Sequence, residues 1–217
     1  MQKNWIFVCL GLVVVFILGL WLRQSYPNFQ AFHIPMESQD ADSSSVDGNS
    51  MEDLESYAQE ILELLANQDF DALSLHVGEG GLYLLPYPVI WENQPQILST
   101  GELLSLVGSE EVLTRGTRDG SGHPITGTFA WYYERFVWNA DFLSGAEILR
   151  GENIPDSRGN TIVDLGTIFP GAEVIEYYLP GIDPQYDGID WQSLYLIFVP
   201  GDTGYLLKGI AHGEWTI

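Results

Sequence analysis

From Trp5 to Leu22 the chain runs for eighteen residues without a charge, between Lys3 on one side and Arg23 on the other. At about 1.5 Å per residue a helix of that length spans roughly 27 Å, close to the ~30 Å of a bilayer's hydrocarbon. A stretch so uniformly apolar has no polar face to offer water, so it belongs in lipid. Trp5 and Trp21 stand near its two ends, where amphipathic rings favour the headgroup level. A cleavable signal peptide has a shorter apolar region, about 7–15 residues, and ends in small residues of the A-x-A kind. Neither feature is present. Cys9 lies inside the run behind Phe7 and Val8 and reads as an apolar filler, not as a lipid attachment point. Residues 1–23 are therefore expected to form an uncleaved transmembrane signal anchor, single-pass in the cytoplasmic membrane. The amino terminus and Lys3 outweigh Arg23, which predicts a cytoplasmic N-terminus and an extracytoplasmic C-terminal domain.

Residues 24–50 contain Pro27, Pro35 and the polar, acidic run from Glu37 to Ser50. Such a segment cannot offset the entropy of ordering and reads as a flexible acidic linker. Residues 51–217 then have the length of one ordinary domain. The chain carries 30 Asp and Glu against 8 Lys and Arg, a formal charge of −22, and that balance excludes nucleic-acid binding through counterion release. A single cysteine permits neither an intrachain disulfide nor a thiolate zinc site. No motif implies a cofactor.

Ser50 reads as a helix N-cap, with Glu52 and Asp53 complementing the dipole in the first turn. Leu54, Tyr57, Ala58, Ile61, Leu62 and Leu65 then form one apolar stripe of helical period. Leu82 to Tyr87 is a short strand candidate whose neighbours Pro86 and Pro88 suit a sheet edge. Ser99 and Glu102 have capping-box spacing ahead of a helix ending at Gly108, and Thr128 caps a third helix reaching from Phe129 toward Phe142. Beyond residue 172 the period changes to that of strands: Ala172–Leu179, Trp191–Val199 and Tyr205–Thr216, the last two forming an antiparallel hairpin. Strict alternation along the last strand puts Leu207 and Trp215 on one buried face and Lys208, Ile210 and His212 on the other. Gly209, Ala211 and Gly213 leave the first of those faces without bulk, for close packing or for a hollow. Helices first and hairpin-linked strands last predict an α+β fold with helices on one face of a curved antiparallel sheet.

That order resembles the cystatin-like cone of the nuclear-transport-factor-like superfamily over residues 50–217. The segment Leu179–Leu194, the loop Asp119–Ile125 and the ending Gly209-Ile-Ala-His212-Gly-Glu-Trp215-Thr-Ile217 resemble a family of bacterial envelope proteins, many of them lipid-anchored, with no assigned activity. The likeness implies an extracytoplasmic bacterial domain. The chain departs from it by carrying a membrane helix where those proteins carry a lipidated cysteine.

Asp183, Asp187 and Asp190 surround a glycine and could ligate calcium through oxygen, although their spacing is not that of an EF-hand and aspartate also recurs as a turn residue. Ser121 and His123 adjoin in a glycine-rich loop without a nucleophile elbow, which reads as a turn. His76, His123 and His212 share no metal-ligand spacing. His212, with Glu176 or Asp190 as an ionisable partner, is a candidate ligand-binding or acid–base group. Trp131, Tyr133 and Trp191 are aromatic candidates for lining a pocket, in a chain carrying seven tryptophans. The expected function is a membrane-anchored module binding a small ligand or another envelope protein. The alternative is an envelope enzyme using a carboxylate and histidine as an acid–base pair in the mouth of the cone.

Overall fold

The computed structural model describes residues 47–89, 95–181 and 183–216. The anchor expected at Trp5 to Leu22 lies outside the described residues, and among those described no helix is long and apolar enough to cross a membrane. The described residues belong to one compact unit. Its first helix, α1 (Asp47–Ala66), begins ahead of the expected cap, so Ser50 lies within the helix. Leu54, Ala58, Ile61, Leu62 and Leu65 are all buried, as the stripe requires. The leucines and Ile61 each contribute about 2 kcal/mol by leaving water, and Ala58 less. A short second helix, α2 (Phe70–Leu75), is capped by Asp69, whose carboxylate accepts from Ala72 N.

Strands β1 (Leu82–Leu85) and β2 (Gln96–Leu98) precede α3 (Thr100–Leu106), where Ser99 and Glu102 make the expected capping box. A hairpin of β3 (Leu113–Thr117) and β4 (Pro124–Gly127) leads to α4 (Phe129–Phe136), which stops short of Phe142. After β5 (Glu147–Arg150) comes a second small hairpin, β6 (Ser157–Arg158) and β7 (Thr161–Ile162), and then the one-turn helix α5 (Leu165–Ile168). The chain continues through β8 (Glu173–Leu179), β9 (Gln192–Gly201) and β10 (Gly204–Glu214).

The result is an α+β unit whose six-stranded sheet runs β2-β1-β10-β9-β8-β5. Two expectations are corrected. The sheet is mixed, because β1 runs parallel to β10, with Leu84 opposite Ile210. And β1 is not an edge: it is paired on both sides, and Pro86, which lacks an N–H, follows its last residue without interrupting it. Helices α1 to α4 cover one sheet face over Ile175, Tyr177, Leu194, Leu196, Phe198 and Ile210. The other face is covered as well, by α5 and Phe169 over Tyr195, Ile197 and Ala211. That double cover explains why six consecutive residues of β9, Ser193–Phe198, are buried.

A bulge in β10 overturns the simple alternation. Leu207 pairs with Phe198 and Gly209 with Ile197, so Lys208 is an extra residue and the faces exchange there. Leu207 joins Ile210 on the helix-covered face, while Trp215, beyond the strand's end, is 39% exposed. The expected joint burial of Leu207 and Trp215 therefore fails. The small residues of β10 serve close packing: a side chain on Gly209 would meet Ile197, Tyr83 and Phe169, and one on Gly213 would meet Ser193, Tyr195 and Trp191.

Candidate functional site

On the helix-covered face of the sheet, buried polar groups lie near the Tyr132 and Phe136 rings. Thr128 caps α4 by accepting from Trp131 N, and the spacing of Phe129, Tyr132, Tyr133 and Phe136 turns all four into the core. Trp131 lies flat against Gly127, where any Cβ would overlap its ring, and meets Phe136 edge-on at 6.0 Å. Phe136 also meets Tyr132 at 5.1 Å, Tyr87 at 6.1 Å and His212 at 5.8 Å. Arg135, the next residue back, lays its guanidinium over the same ring and bonds Glu214 Oε1 at 2.6 Å.

Arg115 reaches this region from β3. The register of the β3–β4 hairpin shifts between Thr114 and Thr117, with Gly116 at φ +98°, and this bulge carries Arg115 inward until it is 3% exposed. Its Nη1 donates to the Gly127 carbonyl at 2.7 Å, and the guanidinium stands 5.7 Å from the centre of the Tyr132 ring. Its Nε and Nη2 are buried with no hydrogen-bond partner among the described residues, and so is the Tyr132 hydroxyl. Neither ring nitrogen of His212 has one either; Glu214 Oε2 lies 3.5 Å from Nε2 without forming a hydrogen bond. Burial lowers the pKa of Arg115 and of His212 and raises those of Tyr132 and Tyr87. For Glu214 burial opposes ionisation, but His212 and Arg135 together hold the carboxyl down at about 2, and Arg135 is the partner in direct bonding distance. Folded proteins pair nearly all such buried groups, because each one left unpaired costs about 1–3 kcal/mol.

The opposite sheet face has a different arrangement. Glu176 is buried beneath the β6–β7 hairpin and takes Arg158 through both oxygens, Nε to Oε1 at 3.0 Å and Nη2 to Oε2 at 3.1 Å. Ser193 Oγ donates to Oε1 at 2.6 Å, and the Arg158 guanidinium lies 3.5 Å above the Tyr178 ring. Every polar atom of Glu176 is thus engaged.

The sequence candidates separate accordingly. Ladder pairing puts Glu176 opposite Tyr195 and His212 opposite Leu194, so Glu176 and His212 are on opposite faces and form no ionisable pair. Asp190 lies in a surface loop and closes it by accepting from Asp183 N at 2.6 Å, so it is no partner for His212 either. Asp183 accepts from Gln185 N, and Asp187 ends that turn at φ +53°. Among the described residues no group of three His, Cys, Asp or Glu side chains is placed to hold a metal ion, and Asp183 and Asp190 make the hydrogen bonds of turn residues. Trp191 is buried beside Tyr178, 6.2 Å between ring centres, away from Phe136. Tyr133 is core, its hydroxyl donating to the Leu65 carbonyl at the end of α1. His212 and Trp131 meet the same ring, Phe136, while Asp183 and Asp190 meet only in their surface loop.

Arg115, Arg135, Glu214 and Arg158 escaped the sequence reading. The available signal was scarcity: only six Lys and Arg follow Arg23, in a segment holding all thirty acidic residues, so a cation placed in a strand next to Gly116 marks a bulge with a purpose. No protein-family model matches the chain, and no curated protein and no solved structure matches it either.

Proposed function

We propose that the chain is a membrane-tethered, extracytoplasmic binding module that holds a small ligand beside Phe136 and performs no catalysis. In this reading Trp5 to Leu22 anchors it in the cytoplasmic membrane and the folded unit is a cystatin-like domain of the bacterial envelope. The fold assignment draws support from the long α1 against the sheet and from the two long strands that end the described chain. The observation that carries the binding reading is a set of buried polar atoms without a hydrogen-bond partner among the described residues, Arg115 Nε and Nη2 and the Tyr132 hydroxyl at one ring and the two His212 nitrogens at the adjoining Phe136 ring. A bound molecule that pairs them offsets their cost. His212 is 0% exposed, which speaks against an acid–base group working in an open mouth.

Native mass spectrometry of the full chain extracted from cell membranes tests the reading. We expect a small-molecule adduct that leaves on denaturation. A chain that flies bare from the membrane fraction counts against a resident ligand. The second reading is an enzyme with His212 and Glu214, 3.5 Å apart, as its ionisable pair. It predicts an adduct converted on incubation instead of one recovered intact. Orientation is tested by protease treatment of spheroplasts: survival of the C-terminal domain while an external control is digested would reverse it.

A further inference from the structure

We infer that Arg115 is the recognition group of this site and that its ligand is an oxyanion, a carboxylate or a phosphate, taken in the side-on fork of Nε and Nη2. This rests on the binding-module reading and specifies its chemistry. A guanidinium offers two parallel N–H bonds along that edge, spaced for two oxygens of one anion. The protein itself uses the edge in this way. Arg158 gives Nε and Nη2 to the two oxygens of Glu176, and Arg150 gives the same pair to Glu173 Oε2 at 3.2 and 3.0 Å. In Arg115 the same two nitrogens are buried and donate to nothing among the described residues. Glu111, whose field reaches Arg115, is exposed at the surface.

The placement of Arg115 looks built. The bulge at Gly116 aims the side chain inward, and Nη1 is committed to the carbonyl of Gly127, a glycine held in place by the Trp131 ring. That bond leaves the Nε–Nη2 edge uncommitted, on a guanidinium 5.7 Å from the centre of the Tyr132 ring, whose hydroxyl also lacks a partner and is a neutral donor for an anion gripped by Arg115. On this proposal entry would be through the hairpin. Strands β3 and β4 ladder only with each other, so lifting them from α4 breaks no bond of the main sheet.

The test uses the full chain in detergent micelles, titrated with sodium acetate or sodium phosphate against sodium chloride at equal ionic strength. We expect the Arg115 Nε–Hε resonance to move saturably with acetate or phosphate and not with chloride, and the melting temperature to rise with it. Response to acetate alone identifies a planar carboxylate; response to phosphate identifies the tetrahedral anion. Arg115→Lys keeps the charge but loses the fork, and should weaken the apparent affinity about tenfold. An Arg115 resonance that stays in place under both anions, in protein that remains folded, overturns the proposal. A native adduct retained unchanged in Arg115→Met also overturns it while leaving the binding-module reading intact. A wild-type chain with no adduct and no response to either anion overturns both.

Discussion

Two arginines in this molecule are turned inward by small two-stranded hairpins, Arg158 from β6–β7 and Arg115 from β3–β4. The first meets a buried glutamate, a serine-bonded one at that, and stacks on Tyr178; the second meets a carbonyl and an aromatic ring. Desolvating a guanidinium is costly in both places, and only Arg158 regains the cost within the chain. The difference separates structure from function. Arg158 with Glu176 fastens the β6–β7 hairpin to the sheet, whereas Arg115 makes its own segment less stable than an apolar residue would.

The comparison breaks most visibly at Glu176. Glu176→Gln strands Arg158, 16% exposed, against a neutral amide, and should cost about 3 kcal/mol, read as a fall in the urea midpoint without change of slope. A loss under about 1 kcal/mol would mean that water already shares the pair. Next in size is the pH response. The folded pKa of His212 lies below 6.5 because burial disfavours its charge, so the unfolded chain binds the proton more readily. Stability is then complete above pH 6.5 and falls as pH drops below it, by up to about 1.4 kcal/mol per pH unit. Glu214, depressed from 4.5 to about 2, adds a second loss as pH falls from 4.5 through 2. His212→Gln should remove the upper part of that slope and keep the lower; an unchanged profile would show that other groups carry it.

Arg115→Met gives the opposite sign to Glu176→Gln. Removing an unpaired buried cation should stabilise the chain by about 1 kcal/mol, partly offset by the Gly127 carbonyl it leaves unbonded. Destabilisation as large as that of Glu176→Gln would erase the distinction between the two arginines. The smallest effect belongs to the surface loop. Calcium should raise the melting temperature slightly through diffuse attraction to the acidic surface, and added salt should abolish the rise, since screening shortens to about 8 Å near 0.15 M. Asp187→Asn should leave that behaviour unchanged, asparagine being at ease at φ +53°. A rise that survives salt and disappears in Asp187→Asn would restore the metal site.

Local patterns were readable in the sequence. The stripe from Leu54 to Leu65, the capping box of Ser99 and Glu102, the Thr128 cap and the β9–β10 hairpin all depend on residues near one another in the chain. The rest depends on distant pairing. Nothing around Pro86 announces that Leu84 pairs with Ile210, and a one-residue bulge at Lys208 leaves no trace in an alternating pattern while exchanging every side chain before it. Glu176 and His212 fall on opposite faces because they pair with successive residues of β9, Tyr195 and Leu194, a stagger that no local pattern shows. Half the candidate site was legible, as His212 and the Trp131 aromatics. Arg115 was not, because an arginine's partner, or its want of one, is decided across the fold.

The central position of β10 governs the order in which the sheet can be assembled during synthesis. It is the last strand made and the third in the sheet, joining β2-β1 on one side to β9-β8-β5 on the other. On the ribosome, a nascent chain ending before Gly204 holds two ladders with nothing between them and an apolar helix face with half its cover. Closure waits for a strand whose partner, β1, was made long before it, and contacts of such separation form slowly. Closure of this sheet therefore waits for β10, and a product truncated before it leaves the helix-covered face without Leu207 and Ile210.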